Sequence, residues 1–441
     1  MKSTTSIHDG SSLDCVSTVE SKEAYASNTS NEDDLVHKEA GTRGSPDDFR
    51  EGGLQGWLSI AGGTLVSFCT FGVVQSFGVY QDYYTRVTLN QNSPSEVSWI
   101  GSVQVFLLFA LGLPANRLLE NGYFHHCMIV GTVIYAISVF MLSLAQPHQY
   151  YQHFLAQGVG LGTGMGLMFL PCFTMTSHYF RQKRSLAMGI VVAGSSVGAC
   201  LYPVILNNLF EHQSFAWGIR AVGILDVGLL LVANLIMKPR LAIRKVGNES
   251  TPPASFKEVI RDSQFVVFAI GTFFLYAALH SVDAQFLKYS ITIMNASSIF
   301  GRILPNVVAD FYGPLNILIA SSGVCGALMF ALFGATNVAG VAGFGIVYGF
   351  FSGGVVSLTT PAVASFITHA DLSDLGIRIG ALSFVLAFAL LTGNPIAGAL
   401  LTSEHHWQRP LIFAAVVAFA GTACYLFIWK SVSVRRNSKR I

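Results

Sequence analysis

From residue 51 onward, long apolar runs alternate with short polar breaks, about a dozen times along the chain. Each run comes near the roughly 20 residues that a helix rising 1.5 Å per residue needs to cross about 30 Å of hydrocarbon. The pattern predicts spans at 58–81, 97–119, 126–145, 153–177, 185–207 and 216–237, then 264–281, 284–308, 314–334, 338–368, 376–402 and 409–430. Every backbone amide in lipid must find its partner within its own helix, so the runs predict an all-α integral membrane bundle of twelve helices. Between the two sets of six lies "KPRLAIRKVGNESTPPASFKEVIRDSQ", which is polar, basic and broken by Pro252 and Pro253. It divides a half at 51–237 from a half at 264–430, with a linker at 238–263. Residues 1–50 are rich in Ser, Thr, Asp and Glu and poor in large apolar residues, the composition of a disordered tail. A short basic C-tail closes the chain at 431–441.

Composition agrees: 52% of the residues are hydrophobic and only 11% charged, which excludes an ordinary water-soluble domain. The net charge of +2 says nothing about partners, but the placement of the charges does. With the N-tail in the cytoplasm, Arg117, the trio Arg181, Lys183 and Arg184, six basic linker residues, Arg378 and five in the C-tail fall inside. Only Arg86 and Arg409 fall outside, so the expected orientation has both termini cytoplasmic, with the first span itself directing insertion. The seven cysteines are scattered and form neither a disulfide framework nor a CxxC metal site.

The two halves are alike where their second helices end. "GLPANRLLENGYFHHCMIVG" and "GRILPNVVADFYGPLNILIASS" each carry a Gly and a Pro, an acid (Glu120, Asp310) and a Gly before the next helix. Repeats with a substrate path at their interface are the plan of many secondary transporters. Glycines at 158, 160, 162, 164 and 166, and again at 189, 194 and 198, each cost up to about 1 kcal/mol against alanine in a helix. Close approach of neighbouring helices is the expected reason, whether for packing alone or for sliding. Ionisable residues inside spans point to cavities. Arg302 lies eight residues before Asp310, about 12 Å along a helix, well inside the eighth span. Asp226 in the sixth span and Lys288 in the eighth are further candidates, although Lys288 has the reach to snorkel to the surface. "GSSVG" at 194–198 has the spacing of a nucleophile elbow, but Ser196 sits in an apolar helix with no strand before it. The pairs His125–His126 and His405–His406 lie at helix ends without metal-ligand spacing, and no GxxxxGK[ST] loop is present. No enzymatic activity and no cofactor are expected.

Several motifs together resemble the major facilitator superfamily, and within it the monocarboxylate-porter-like family, particularly its fungal members. "EGGLQGW" is similar to that family's signature before the first helix, and "HYFRQKRSLAMGIVVAGSSVG" to its second, at the fifth. "GVYQDYY", "SWIGSVQVFLLF", "FLAQGVGLGTGMGLMFLP", "NASSIFGRILP", "YGFFSGGVVSL" and "TGNPIAGALL" extend the likeness over nearly all of 51–430. The resemblance implies two six-helix halves rocking about a midplane cavity, with protons as the driving ion and the plasma membrane as the location. It assigns a substrate-carboxylate role to the arginine matching Arg302, against which stands a structural contact. Glu120, Asp310, Arg181, Lys183 and Arg184 fall on its gating motifs, the basic trio also serving as a topology anchor.

Two positions depart from the family. Relatives that carry monocarboxylates have a first-helix lysine where Gln75 stands, and an aspartate where Ser298 stands four residues before Arg302. An amide and a hydroxyl do not titrate near neutral pH, so a neutral or larger amphipathic substrate gains ground. Asn295, Tyr80, Phe169, Phe173 and Tyr276 join Gln75, Ser298 and Arg302 as candidate lining, although aromatics at helical spacing also serve packing. A further departure is length. Leu58 to Glu120 takes 62 steps and Phe265 to Asp310 only 45, so span seven is expected to be short, in a working transporter or in an impaired variant. The reading is a secondary active transporter of a small organic molecule, with the lipid bilayer, that substrate and protons as partners, no nucleic acid, and a monomer sufficing. Its alternatives are an exporter of a biosynthetic-cluster metabolite and a non-transporting membrane sensor on the same scaffold.

Overall fold

A computed structural model of the chain describes residues 52–180, 182–239, 256–283, 288–334, 337–364, 373–400 and 408–436. Among these residues twelve long helices form an all-α bundle. Spans one to six run Gly53–Thr88, Pro94–Glu120, Phe124–Ser143, Tyr150–Ser177, Arg184–His212 and Phe215–Ile236. Spans seven to twelve run Ser263–Asp283, Lys288–Tyr312, Pro314–Gly334, Val338–Ala364, Ser373–Leu400 and Gln408–Arg436. Ten of the helices among the described residues are long and apolar enough to cross a membrane. The eighth falls short in apolarity because Asn295, Ser298, Arg302 and Asn306 turn inward from it and are buried. In the seventh, 21 helical residues are described, about the length of span three at 20, and residues 284–287 beyond it lie outside the described residues. Arg181, the N-tail, the pair His405–His406 and most of the linker lie outside the described residues.

The predicted span ends need correcting in places. Span one is longer than 58–81 because two π-helical turns, Phe68–Gly72 and Tyr84–Thr88, carry the helix onward. The polar sequence past residue 81 stays helical because it has neighbours to hold it. Gln81 Nε2 donates to Ser98 Oγ (2.8 Å) and Tyr84 Oη to Gln157 Oε1 (2.5 Å). Arg86, expected in a loop, therefore sits on the last turn, paired with Asp82 one turn earlier. Span two begins at Pro94, behind a capping box in which Ser93 and Glu96 satisfy each other's backbone N–H groups. The linker also contains a short helix, Phe256–Arg261, which the two prolines gave no reason to expect.

The internal likeness extends to packing. Span one lies against five and six, and span seven against eleven and twelve. Span four lies against two and three, and span ten against eight and nine, while three meets six as nine meets twelve. Glycine makes these contacts close. At Gly166 an added Cβ would come 2.6 Å from Leu107 O, and at Gly198 2.9 Å from Gly72 Cα. Lipid supplies no hydrophobic drive between helices, so dispersion across such close backbones is what the missing side chains gain.

The two signature motifs meet in space. Gly52, at φ +71° in the left-handed region, donates its N–H to Tyr179 O (2.9 Å), and the Phe180 ring lies over Gly52 and Gly56. Trp57 meets that ring edge-on at 5.7 Å, and Tyr179 Oη donates to Lys238 O (2.6 Å) at the end of span six. The start of span one, the turn between four and five and the end of six thus form one joint. His178 sits beside it, just beyond span four. Burial first, and then the charge of Arg184, push its imidazole down to about 4. Between that value and its ordinary 6.5 the unfolded chain binds the extra proton, so stability is complete above about pH 6.5 and falls as pH drops toward 4. The melting temperature of purified protein is expected to decline across that window, and His178→Gln to flatten the decline.

Candidate functional site

Two antiparallel seams join the six-helix sets. In one, span two faces span eleven. Glu120 lies against Gly376, Asn116 Nδ2 donates to Gly376 O (3.4 Å), Leu113 faces Gly380, and Phe106 meets Phe388 at 5.3 Å. In the other, span eight faces span five. Asp310 accepts from the backbone N–H of Ser185 (2.9 Å) and Leu186 (3.1 Å), and Gly189 lies under Arg302 O and Asn306. Further along, Ser196 Oγ bonds Ser298 Oγ (2.9 Å) and Cys200 Sγ donates to Thr292 O (3.7 Å). Each seam therefore begins with an acid, at the C-terminal end of one helix, set against the first turn of another. A helix N-terminus carries unsatisfied N–H groups and a partial positive charge, so both carboxylates are favourably placed.

Each such contact contributes about 0.3–1 kcal/mol. The double variant Glu120→Gln, Asp310→Asn is expected to loosen this end several-fold. The measurement is maleimide labelling of a cysteine introduced at Ala187, which is buried in span five. Unchanged labelling would remove the acids from the gate.

Arg302 is the hub of the second seam. It is 3% exposed, and its Nη1 donates to Val192 O (2.8 Å) and to Ser195 Oγ, both on span five. Gln75 reaches the same hydroxyl from span one through Nε2 (3.4 Å). It can do so because span one breaks at Ser76, just after the π-helical turn. Asn295, Ser298 and Arg302, spaced by three and four, share one buried face of span eight. Asn306, one turn on, donates to Arg302 O (2.8 Å) and Ser357 Oγ (2.6 Å). Three of the predicted site residues, Gln75, Ser298 and Arg302, are thus drawn onto consecutive serines of one helix. Ser195 and Ser196 carry no mark of these partners in sequence, since "GSSVG" stands out there for its spacing and its glycines.

The predicted aromatics divide. Phe169 and Phe173 stack on each other (6.3 Å) and pack with Phe71 and Phe109 between spans one, two and four. Tyr80 lies apart, buried against Tyr84 and Phe210. Tyr276, from span seven, donates to Val356 O (3.3 Å). Phe169, Phe173, Tyr80 and Tyr276 are all buried, so packing, the alternative reading, is what these side chains visibly do. Lys183 is exposed, and Arg184 Nε donates to Phe180 O (3.3 Å), fastening the turn between four and five. Lys288 is the first residue of the eighth helix.

Asp226 stands elsewhere, with 0% exposure, among spans one, three, five and six. Tyr135 Oη of span three donates to its Oδ2 (2.6 Å), and Tyr202 Oη of span five to its Oδ1. Neither tyrosine was foreseen, since nothing in sequence brings residues 135, 202 and 226 together.

The sequence profile of the Major Facilitator Superfamily matches residues 57–301, more than half of the chain. An aspyridones efflux protein of Emericella nidulans is 36% identical over 406 residues, covering 90% of this chain and 82% of its own. An agnestins efflux protein of Paecilomyces divaricatus is 34% identical over 383 residues (84% and 86%), and a fujikurins efflux protein of Gibberella fujikuroi 31% over 393 residues (85% and 83%). Among solved structures, the fold is similar to that of the transporter FucP in its outward conformation, at a TM-score of 0.62 and 14% identity. That likeness covers 86% of this chain and 99% of FucP.

Proposed function

We infer that this chain, which belongs to the Major Facilitator Superfamily, exports a small organic metabolite by alternating access between its two six-helix halves. The observation that carries the mechanism is the hub at Arg302, where a buried cation of span eight is held by a carbonyl and a hydroxyl of span five. A substrate entering between the halves would compete with span five for those donors, so binding and seam opening are one event. Gln75, Ser298 and Asn295 complete the lining. The export direction rests on the named efflux relatives, which favour the exporter alternative. The two signatures resemble the monocarboxylate-porter-like family, but lactate-type chemistry does not follow from them, because Gln75 and Ser298 carry no charge. Proton coupling, cytoplasmic termini and the plasma membrane complete the proposal, the orientation following from the Lys and Arg bias of the loops.

The test is accumulation of labelled aspyridones, agnestins and fujikurins in inside-out vesicles, with and without a pH gradient. Export predicts uphill accumulation of at least one compound. Downhill equilibration alone, or no movement while the aspyridones relative moves its own compound, overturns it.

A further inference from the structure

We propose that Asp226 and the two tyrosines that hold it form a proton-binding site that couples protonation to the position of span five. This deepens the proposed export reading, since it supplies that reading with its driving ion. The argument begins with what the site lacks. Among the described residues no Lys, Arg or His pairs with Asp226, although a carboxylate in hydrocarbon surroundings is costly when ionised and unpaired. What it has instead is a hydroxyl on each oxygen, from Tyr135 and Tyr202.

Tyrosine hydroxyls are not fixed donors. Backbone N–H groups, arginine or lysine would satisfy only the carboxylate, because they cannot accept. A phenol both donates and accepts, so this pocket can satisfy the ionised and the neutral acid. In the ionised form both tyrosines donate. When a proton binds to Oδ1, the new O–H needs an acceptor, and the Tyr202 oxygen already lies in its path. The Tyr202 hydrogen must then turn elsewhere. Cys69, on the π-helical turn of span one, also reaches Asp226, its thiol donating to the backbone carbonyl of that residue. Its sulfur can take that hydrogen while its thiol keeps donating to Asp226 O (3.8 Å). The proton enters on Asp226 and no bond is left unbalanced.

Every helix packed against span six at this point contributes a titratable group: Cys69 from span one, Tyr135 from three and Tyr202 from five, with Tyr80 of span one at longer range. The consequence for transport lies in span five. Tyr202 is seven residues, or about 10 Å, beyond Ser195 on the same helix and close to the same face. Ser195 holds Arg302 across the seam. Exchanging a charged hydrogen bond for a neutral one at Tyr202 weakens the hold of span six on the helix that carries the hub.

The experiment uses the full chain in lipid nanodiscs. Infrared pH-difference spectra are expected to contain the carbonyl-stretch band of a buried protonated carboxylic acid, set apart in frequency from exposed Asp and Glu. Asp226→Asn should lose this band, and Asp226→Glu should keep it at a shifted frequency. Hydrogen exchange of residues 184–212, corrected for intrinsic rates, should change severalfold across the same pH range in the wild type and remain flat in Asp226→Asn. A band that survives in Asp226→Asn, the absence of any such band, or equal exchange changes in both proteins overturns the proposal. A titrating band in a chain that moves none of the tested metabolites supports the proton site and counts only against the export reading.

Discussion

Arg302→Ala is expected to lower vesicle export about 100-fold, and Arg302→Lys to restore little of it. The alanine variant removes donors to Val192 O and Ser195 Oγ, and hydrogen bonds to charged groups contribute about 1.5–3 kcal/mol each. Lysine keeps the charge but not the planar fork that meets a carbonyl and a hydroxyl together. The kinetic pattern separates two roles for the residue. If Arg302 binds substrate, KM rises and export recovers at high concentration. If it only closes the seam, the maximal rate falls and KM holds. Export and affinity both unchanged would remove Arg302 from the site altogether.

Gly189→Leu is expected to abolish export in a protein that still folds. A Cβ at this position would press on the backbone oxygen of Arg302 and come 2.9 Å from Asn306 Nδ2, so span eight must move away from span five. Overpacking of this kind costs about 1–3 kcal/mol, and here the cost falls on the closed seam alone, because the neighbours belong to the opposite half. Gly301→Leu is the control. Its added atoms would strike the backbone of Phe350 within the same half, so expression and melting temperature should fall as well. Size exclusion, thermal melts and vesicle export together distinguish these outcomes. Full export by Gly189→Leu would mean that spans five and eight need not come together.

The comparison of these two glycines also marks what the sequence could convey. Glycine density announced close helix contacts, and most spans were legible from their apolar runs, ten of them among the described residues meeting the length and apolarity of a membrane span. Which contacts cross between the halves was not legible, because Gly189 and Gly301 look alike in sequence. Helix ends were misjudged where a tertiary partner kept polar residues helical, as Gln157 and Ser98 do for the end of span one. Of the candidate site, Arg302 could be placed by counting back from Asp310. Its partners could not, since a backbone carbonyl such as Val192 O leaves no trace in the residue type. Asp226 was conspicuous as an intramembrane acid, but its tyrosines come from helices 91 and 24 residues away.

The two seams share one register. Moving from Glu120 toward Phe106 moves from Gly376 toward Phe388, as moving from Asp310 toward Thr292 moves from Ser185 toward Cys200. Helices one rigid half contributes to both seams cannot slide in one and stay fixed in the other without breaking the matched contacts. With each half moving as a unit, the closed end is expected to have a single degree of freedom and to open in a concerted rather than a stepwise manner. Intermediates with one seam parted should be too sparse to observe, and a probe placed in either seam reports on both.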